Sequence, residues 1–482
     1  MAHQDKGRDT SELSNQQALR LALEWLLGGV SWADVCFRED CSWSPKLLVW
    51  VGLLWAWGDE KTLQGRFTAA RKIALRMGAG RKAVATSYQA FTKMLRRWSV
   101  TLVELVQQRW REAVRDRLAD RFTVAGFIPF GGDGSKFGLA RTQSLECAFA
   151  PLKTRQRAKT KRGRQQAARK ARQHRRRSKQ QRAASARAKK ADSPQLAVTV
   201  LWHLLCGLPW SWRLGPSGTS EREQLRQMLV ELPTGALVVA DAGFYGYEMW
   251  QALLTAGHAF VMRVGSNVHL LRRLGYVRER DDLVYFWPDR EAAKGQPPLV
   301  LRLVVIHDGR QPVYLVTSVL DHRRLSNRQV IEFYRLRWGV EVFYRHVKQT
   351  YALRKLRSRA AANAPLEATW ALLGLWALAF YAYCHLQAQN IPPSRVSMAQ
   401  VLRAFRQPMR EYKSRPDHGE DLHALLDRAI IDHYRRQSKA SRDYPCKKRE
   451  PGAGPPHFRL AKHKQQQKAL ELRDKIEKGL AA

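Results

Sequence analysis

Acidic residues are scarce in this 482-residue sequence: 42 Asp and Glu stand against 84 Lys and Arg, a formal charge of +42. The deficit argues against a cationic partner and favours a polyanion, because each phosphate that a protein neutralises releases counterions. Solubility alone does not call for such a surplus, since cationic excess promotes non-specific nucleic acid binding. Cysteine is scarce too. Six residues, at 36, 41, 147, 206, 384 and 446, are too scattered for a disulfide scaffold and fit a reducing cytoplasm. Cys36 and Cys41 form a single C-x4-C with no second Cys or His pair nearby, which makes a poor zinc site. Long apolar runs are nearly missing, and "MAHQDKGRDTSELSNQQ" at the start has no apolar core and reads as no signal peptide. The exception is "ATWALLGLWALAFYAYC", 368 to 384, at the lower edge of membrane-spanning length. It is isolated and holds Thr369, Tyr381 and Tyr383, so we read it as a helix buried in a large core and expect no membrane.

What is present, 45% hydrophobic residues and 16 Trp, supports buried cores in a chain long enough for about two to four domains. Residues 1–120 form a helical unit: "QALRLALEWLL" and "TLVELVQQRWREAVRDRLADRF" have apolar residues at three-and-four spacing, and Ser44-Pro45 starts another helix. Basic stretches such as "RKIALRMGAGRK" suit it to gripping DNA, and a purely structural role is equally open. Residues 121–385 mix strands and helices. "FTVAGFIPFGGDGSKF" is an extended run ending in a turn at Asp133, and "QLAVTVLWHLLCGLPWSWRLG" reads as two strands joined at Gly207-Leu208-Pro209. Thr219 or Ser220 caps the helix "EREQLRQMLVEL", and "ALVVADAGFYG" is a buried strand ending at Asp241. About 257–320 is rich in strand signals, and a helix bearing Glu341 follows.

Two segments stand apart. Residues 151–190 hold 18 Lys or Arg and no acid, a run that builds no core and suits a sequence-independent grip on phosphates; we take 151–192 as a basic insertion. Residues 386–482 read as a basic helical region with a mobile tail from about 436.

Three carboxylates then fall at the ends of elements: Asp133 and Asp241 on strands, Glu341 on a helix. Acids on rigid elements can hold two divalent ions about 3.5–4 Å apart, one activating a nucleophile and the other stabilising the leaving oxygen. Oxygen ligands suit Mg2+, with Mn2+ as substitute. On one helix, at about 100° per residue, Tyr334, Arg337 and Lys348 all lie within about 40° of Glu341. Each piece also has an ordinary reading: "DGS" and "DAG" are common turns, and Glu341 can simply pair with Arg337 and Arg345.

The series Tyr334, two residues, Arg337, three residues, Glu341, six residues, Lys348 resembles the tyrosine-arginine-glutamate-lysine signature of bacterial transposases of the fourth insertion-sequence family. "DGSKF" and "ADAGFYG" are similar to that family's two aspartate motifs, and "GLPWSWRLGPSGTSERE" to the segment between them. The resemblance implies an α/β fold: an RNase H-like catalytic core with a β-rich insertion, preceded by the helical N-terminal domain. It implies a DDE triad of Asp133, Asp241 and Glu341 holding Mg2+, and cut-and-paste transposition through end cleavage, a hairpin and strand transfer. Arg337, Arg345 and Lys348 would then hold phosphates, Tyr334 would bond or stack at the distorted end, and Trp287 would stack on an extruded nucleotide. The partners it implies are double-stranded DNA, both element ends and target, and a second copy of the chain on DNA, in a bacterial cytoplasm. Two departures are the long insertion at 151–192 and Ser135 where Thr is common. A non-catalytic transposase relic or regulator, and a nuclease of the same fold without strand transfer, remain alternatives.

Overall fold

The computed structural model describes residues 15–38, 40–80, 84–152, 165–166, 193–307, 311–412, 421–431 and 454–478. Nearly all of the basic insertion lies outside them. The described chain is mixed α/β around a ten-stranded sheet.

Four helices come first: α1 (Asn15–Leu27), α2 (Pro45–Trp57), α3 (Leu63–Arg76) and α4 (Tyr88–Arg117). Their starts follow local chemistry. Ser44, Thr62 and Ser87 each accept a hydrogen bond from a first-turn N–H of α2, α3 and α4, and Pro45 occupies the first turn of α2, where no N–H is needed. The strands are β1 (Ile128–Gly138), β2 (Gln195–His203), β3 (Leu208–Pro216), β4 (Ala236–Ala240), β5 (Ala259–Val264), β6 (His269–Arg272), β7 (Leu283–Phe286), β8 (Leu299–Ile306), β9 (Val313–Thr317) and β10 (His457–Leu460). Helices used below are α5 (Glu221–Met228), α6 (Asn327–Leu336), α7 (Trp338–Arg345), α8 (Ala364–Gln387), α9 (Met398–Glu411) and α10 (His463–Glu477).

Across the sheet the order is β10-β6-β7-β8-β9-β5-β4-β1-β2-β3. β1, β2 and β3 are antiparallel, β4 and β5 run parallel to β1, and β9, β8, β7 and β6 continue antiparallel from β5. The expected turn at Gly207 is there, with φ +65°, and Ser220 caps α5. β2 and β4 are covered on both faces, which is why their sequences are continuous apolar runs and not alternations.

The apolar segment expected to be a core helix is α8. Fully buried Trp370 and Trp376 sit on it, and it runs between the N-terminal helices and the sheet. Trp370 lies against Gly52 of α2 and donates to Ser99 Oγ of α4 at 2.8 Å. Trp57 of α2 donates to the Gly374 carbonyl at 2.9 Å, and Trp376 meets Trp110 of α4 and Trp212 of β3 edge-on. One continuous hydrophobic core therefore joins the helical region to the strands.

The tail expected to be mobile from about 436 is structured at its far end. β10 pairs in parallel with β6, and α10 follows, with Ala469 and Leu472 buried. Phe458 lies under the Arg272 guanidinium at 4.7 Å, so four residues suffice to dock a segment whose polar composition hides it.

Candidate active site

β4 pairs with β1 only as far as Gly132↔Ala240. The next residue on each parallel strand is an acid, Asp133 and Asp241, so register alone brings the two to the same end of the sheet. Beyond β4, β1 pairs with β2 and, at Gly138, bridges to Lys355; between these points its edge at Asp133 has no paired strand among the described residues. Glycines at 131 and 132 let helices press on β1 from both sides: a side chain at Gly131 would meet Val340 of α7, and one at Gly132 would meet Leu225 of α5.

The expected single helix over 334–348 is broken into three. α6 ends at Leu336, α7 begins at Trp338, and His346–Thr350 is a π-helical turn. The shared face survives the first break. Arg337 Nη2 lies 3.2 Å from Glu341 Oε1 and 3.9 Å from Asp241 Oδ2, and Tyr334 Oη donates to Asp241 Oδ1 at 3.4 Å. Lys348 is carried by the π turn onto Ser135 Oγ, at 2.5 Å, two residues along β1 from Asp133. Arg345 is exposed and lines an apolar groove with Trp338 and Phe343, away from these contacts.

Electrostatics mark the cluster. Burial pushes the Asp133 carboxyl up from its ordinary 3.8 to about 6; the Gly134 N–H and Arg337 pull it down, and Glu221 and Glu341 push it further up. Burial would lower the Arg337 guanidinium, yet Tyr334, Asp241, Glu341 and Asp133 together hold it above its ordinary value. Its side chain is only 9% exposed, and its Nε has no partner among the described residues. Tyr344 pins the strand by donating to the carbonyls of Asp133 and Val198 at 2.8 and 3.3 Å.

The sign of the Asp133 shift gives a measurable cost. A carboxyl whose folded pKa is raised binds its proton more tightly when folded, so stability falls as pH climbs through about 4 to 6 and the loss is complete above. In metal-free buffer Asp133→Asn is therefore expected to be more stable than wild type by about 1–2 kcal/mol near pH 8, after allowance for solvent screening, and equal to it below about pH 4. Urea unfolding at the two pH values checks this.

Trp287 does not fit the stacking role. It is 4% exposed and its indole N–H is tied to the Gln296 carbonyl at 2.8 Å, because β7 carries it into the core. The exposed tryptophan of α7 is Trp338, at 60%, and it lines the groove with Arg345 and not the acid cluster. The sequence reading also passed over Arg263 of β5, 3.6 Å from Asp241 Oδ1, and Glu221 of α5. Arg263 sits in an ordinary strand pattern that gives no sign of its neighbour.

The donor set is carboxylate oxygen, which fits a hard divalent cation such as Mg2+. Among the described residues no three His, Cys, Asp or Glu side chains stand ready around one ion, and the Arg337 guanidinium occupies the space between Asp241 and Glu341.

Residues 166–376 match the Transposase DDE domain family, a span that includes Asp241 and Glu341 and begins after Asp133. A curated relative, transposase InsG of insertion sequence element IS4 from Escherichia coli K12, is 27% identical over 175 residues. That alignment covers 35% of this chain and 39% of the relative, well under half of its length. Among solved structures the chain is similar to a piggyBac transposase synaptic complex with hairpin DNA, at a TM-score of 0.37 and 11% identity over 91% of this chain and 90% of that one. Both sequence matches are to DDE transposases, one of them that of an IS4 insertion sequence, and they support the resemblance to that type over the middle of the chain.

Proposed function

We propose that this protein moves an insertion sequence by cutting its DNA ends and joining them to target DNA, using Mg2+ or Mn2+ held by Asp133, Asp241 and Glu341. The observation that carries the reading is the gathering of three acids around one nearly buried arginine, Arg337, in a chain with twice as many cations as acids. A surface that only grips DNA gains nothing from carboxylates, which repel phosphate. Carboxylates beside a phosphate path are accounted for by a cation between them. The run β3-β2-β1-β4-β5, with its two antiparallel and two parallel pairings, supports an RNase H-like core, and β6 to β8 then form the β-rich insertion before α6.

When bound, the cation activates the attacking oxygen and neutralises the leaving one. The chain's own groups do the rest. Arg337 balances Asp241 and Glu341 and offers its guanidinium to the phosphate, Lys348 holds a phosphate beside Asp133, Tyr334 orients Asp241, and Tyr344 keeps β1 in place. Arg345 extends the basic surface. Nicking, hairpin formation and target attack would follow one another in this one site, with two copies holding the two ends in the bacterial cytoplasm.

A plasmid carrying the gene's own flanking DNA tests the reading. Excision and rejoining are expected with Mg2+ or Mn2+ and not with EDTA. Flanks that are bound but never nicked would sink it in favour of a non-catalytic binder, and cutting without joined product would leave a nuclease.

A further inference from the structure

We infer that Arg302 is a positioning residue of this site: it fixes the start of α6, and so the reach of Tyr334 and Arg337 to Asp241, and it does so only while His322 is uncharged. The inference rests on the reading above, in which Asp241 takes part in the chemistry.

The first argument is where the charge lies. Arg302 stands on the face of β8 that also carries buried Val304 and Ile306, and it is itself fully buried. Its hydrogen-bond partners among the described residues are carbonyls, an amide and an imidazole, and none is a carboxylate. An apolar side chain would fill that slot without taking a cation out of water, so the guanidinium is accounted for by what it holds.

What it holds is one segment. Arg302 donates from Nε to the Val319 carbonyl at 3.0 Å, from Nη2 to the Leu325 carbonyl at 2.5 Å and from Nη1 to Asn327 Oδ1 at 2.9 Å. Val319 lies just past β9 and Asn327 opens α6, so one planar group spans the connection between them. Buried Val330 and Phe333 press α6 onto the sheet, but apolar contact has no direction along the helix axis. The bonds at the first residue supply that direction. Tyr334 stands about 10 Å further along the axis and Arg337 follows at the junction with α7. Their contacts with Asp241 are already long, 3.4 and 3.9 Å, so a slide of about 1 Å at the start of α6 would undo both.

His322 makes the arrangement sensitive to protons. A guanidinium has no acceptor, so His322 Nδ1, 2.7 Å from Arg302 Nη1, is the acceptor and carries no hydrogen. Its Nε2–H then donates to Asp282 Oδ2 at 2.8 Å, and the ring is neutral. A proton on Nδ1 sets N–H against N–H and breaks the link to Arg302. The charged groups around the ring are Arg302 of β8, Asp282 and Arg280 just before β7, and Asp321, Arg323 and Arg324 on its own segment. Asp282, paired with Arg280 at 3.3 Å, favours that proton and Arg302 opposes it. The His322 side chain is 47% exposed, so the charged ring can turn to water and leave Arg302 one partner short.

Hydrogen exchange of the full chain without DNA, read by mass spectrometry beside single-turnover nicking of a labelled end, tests this. Arg302→Lys keeps the charge but offers one compact head to several acceptors. It is expected to speed exchange over 319–336 by about tenfold or more while α8 stays unchanged, and to lower the nicking rate constant by about tenfold to a hundredfold with end binding kept. Wild type moved from about pH 8 to about pH 5.5 is expected to show the same local rise, corrected for intrinsic rates. His322→Gln, whose amide accepts from Arg302 and donates to Asp282 at either pH, is expected to show none. Unchanged exchange over 319–336 in Arg302→Lys overturns the inference, and so does a loss of nicking amplitude with the rate constant kept, the mark of a merely structural role. A rise at low pH that persists in His322→Gln overturns the part given to His322. A wild type that binds ends and never nicks them, with exchange raised in Arg302→Lys, overturns the functional reading and leaves the anchoring of α6 standing. Should Arg302→Lys fail to fold, His322→Ala with Asn327→Ala, both exposed residues, frees Nη1 alone, and unchanged exchange there overturns the inference too.

Discussion

Glu341→Gln is expected to slow end cleavage by about a hundredfold to a thousandfold, the loss that follows when several kcal/mol of transition-state charge stabilisation is removed. The substitution is chosen for what it preserves. The amide oxygen of Gln can still accept from Arg337 Nη2, now 3.2 Å from Glu341 Oε1, so the junction between α6 and α7 keeps its link. The negative charge alone is lost, and with it a hard oxygen ligand. DNA binding should stay intact or tighten, since one repulsive carboxylate has gone. Single-turnover nicking of a labelled end, with a gel-shift titration beside it, separates the two effects. Equal cleavage by variant and wild type would take Glu341 out of the chemistry.

Trp370→Ala carries the largest expected cost in stability, about 3–5 kcal/mol, because a fully buried indole leaves a cavity that its neighbours cannot close. Three elements meet at this ring: Gly52 of α2 lies on its face, Ser99 of α4 accepts from its N–H, and α8 carries it. The void would open where the N-terminal helices join the body of the protein. A denaturant titration followed by tryptophan fluorescence checks it, and a midpoint within error of wild type would mean the helices are held elsewhere. Arg406 of α9, which donates to the Trp57 carbonyl at 2.7 Å, is one such contact to examine next.

The legible part of the site was set by short-range rules. Asp241 could be read because it follows a buried extended run; Asp133 was expected at a turn that ends its strand, but β1 continues to Gly138 because β2 pairs with it throughout, and the acid lies in mid-strand where the pairing with β4 stops. Tyr334, Arg337 and Glu341 could be read because helical spacing keeps them on one face even across the break at Arg337. Lys348 was assigned to the same straight helix, but the π turn at His346–Thr350 redirects it to Ser135. Trp287 was misjudged because an aromatic at the end of "LVYFW" is a core residue when its strand is covered on both faces, and the coverage comes from distant segments. Glu221 was read only as a helix-start acid, since Gly134, which makes room for its carboxyl, lies far upstream on another strand. Helix caps at Ser44 and Ser220 were local and came through; β10, short and polar, was not recognisable from its own residues.

The pairing of His457–Leu460 with His269–Arg272 also bears on how the chain is made. Synthesis delivers β6 long before the segment that covers it. Through that interval β6 is a bare edge, with unpaired N–H and C=O groups that can recruit a strand from another chain. Closing so long a loop adds little entropy cost beyond that of a shorter one, because the penalty grows only with the logarithm of length. A late segment can therefore seal the sheet cheaply, and a nascent protein halted before it would be an aggregation hazard despite a completed set of acids.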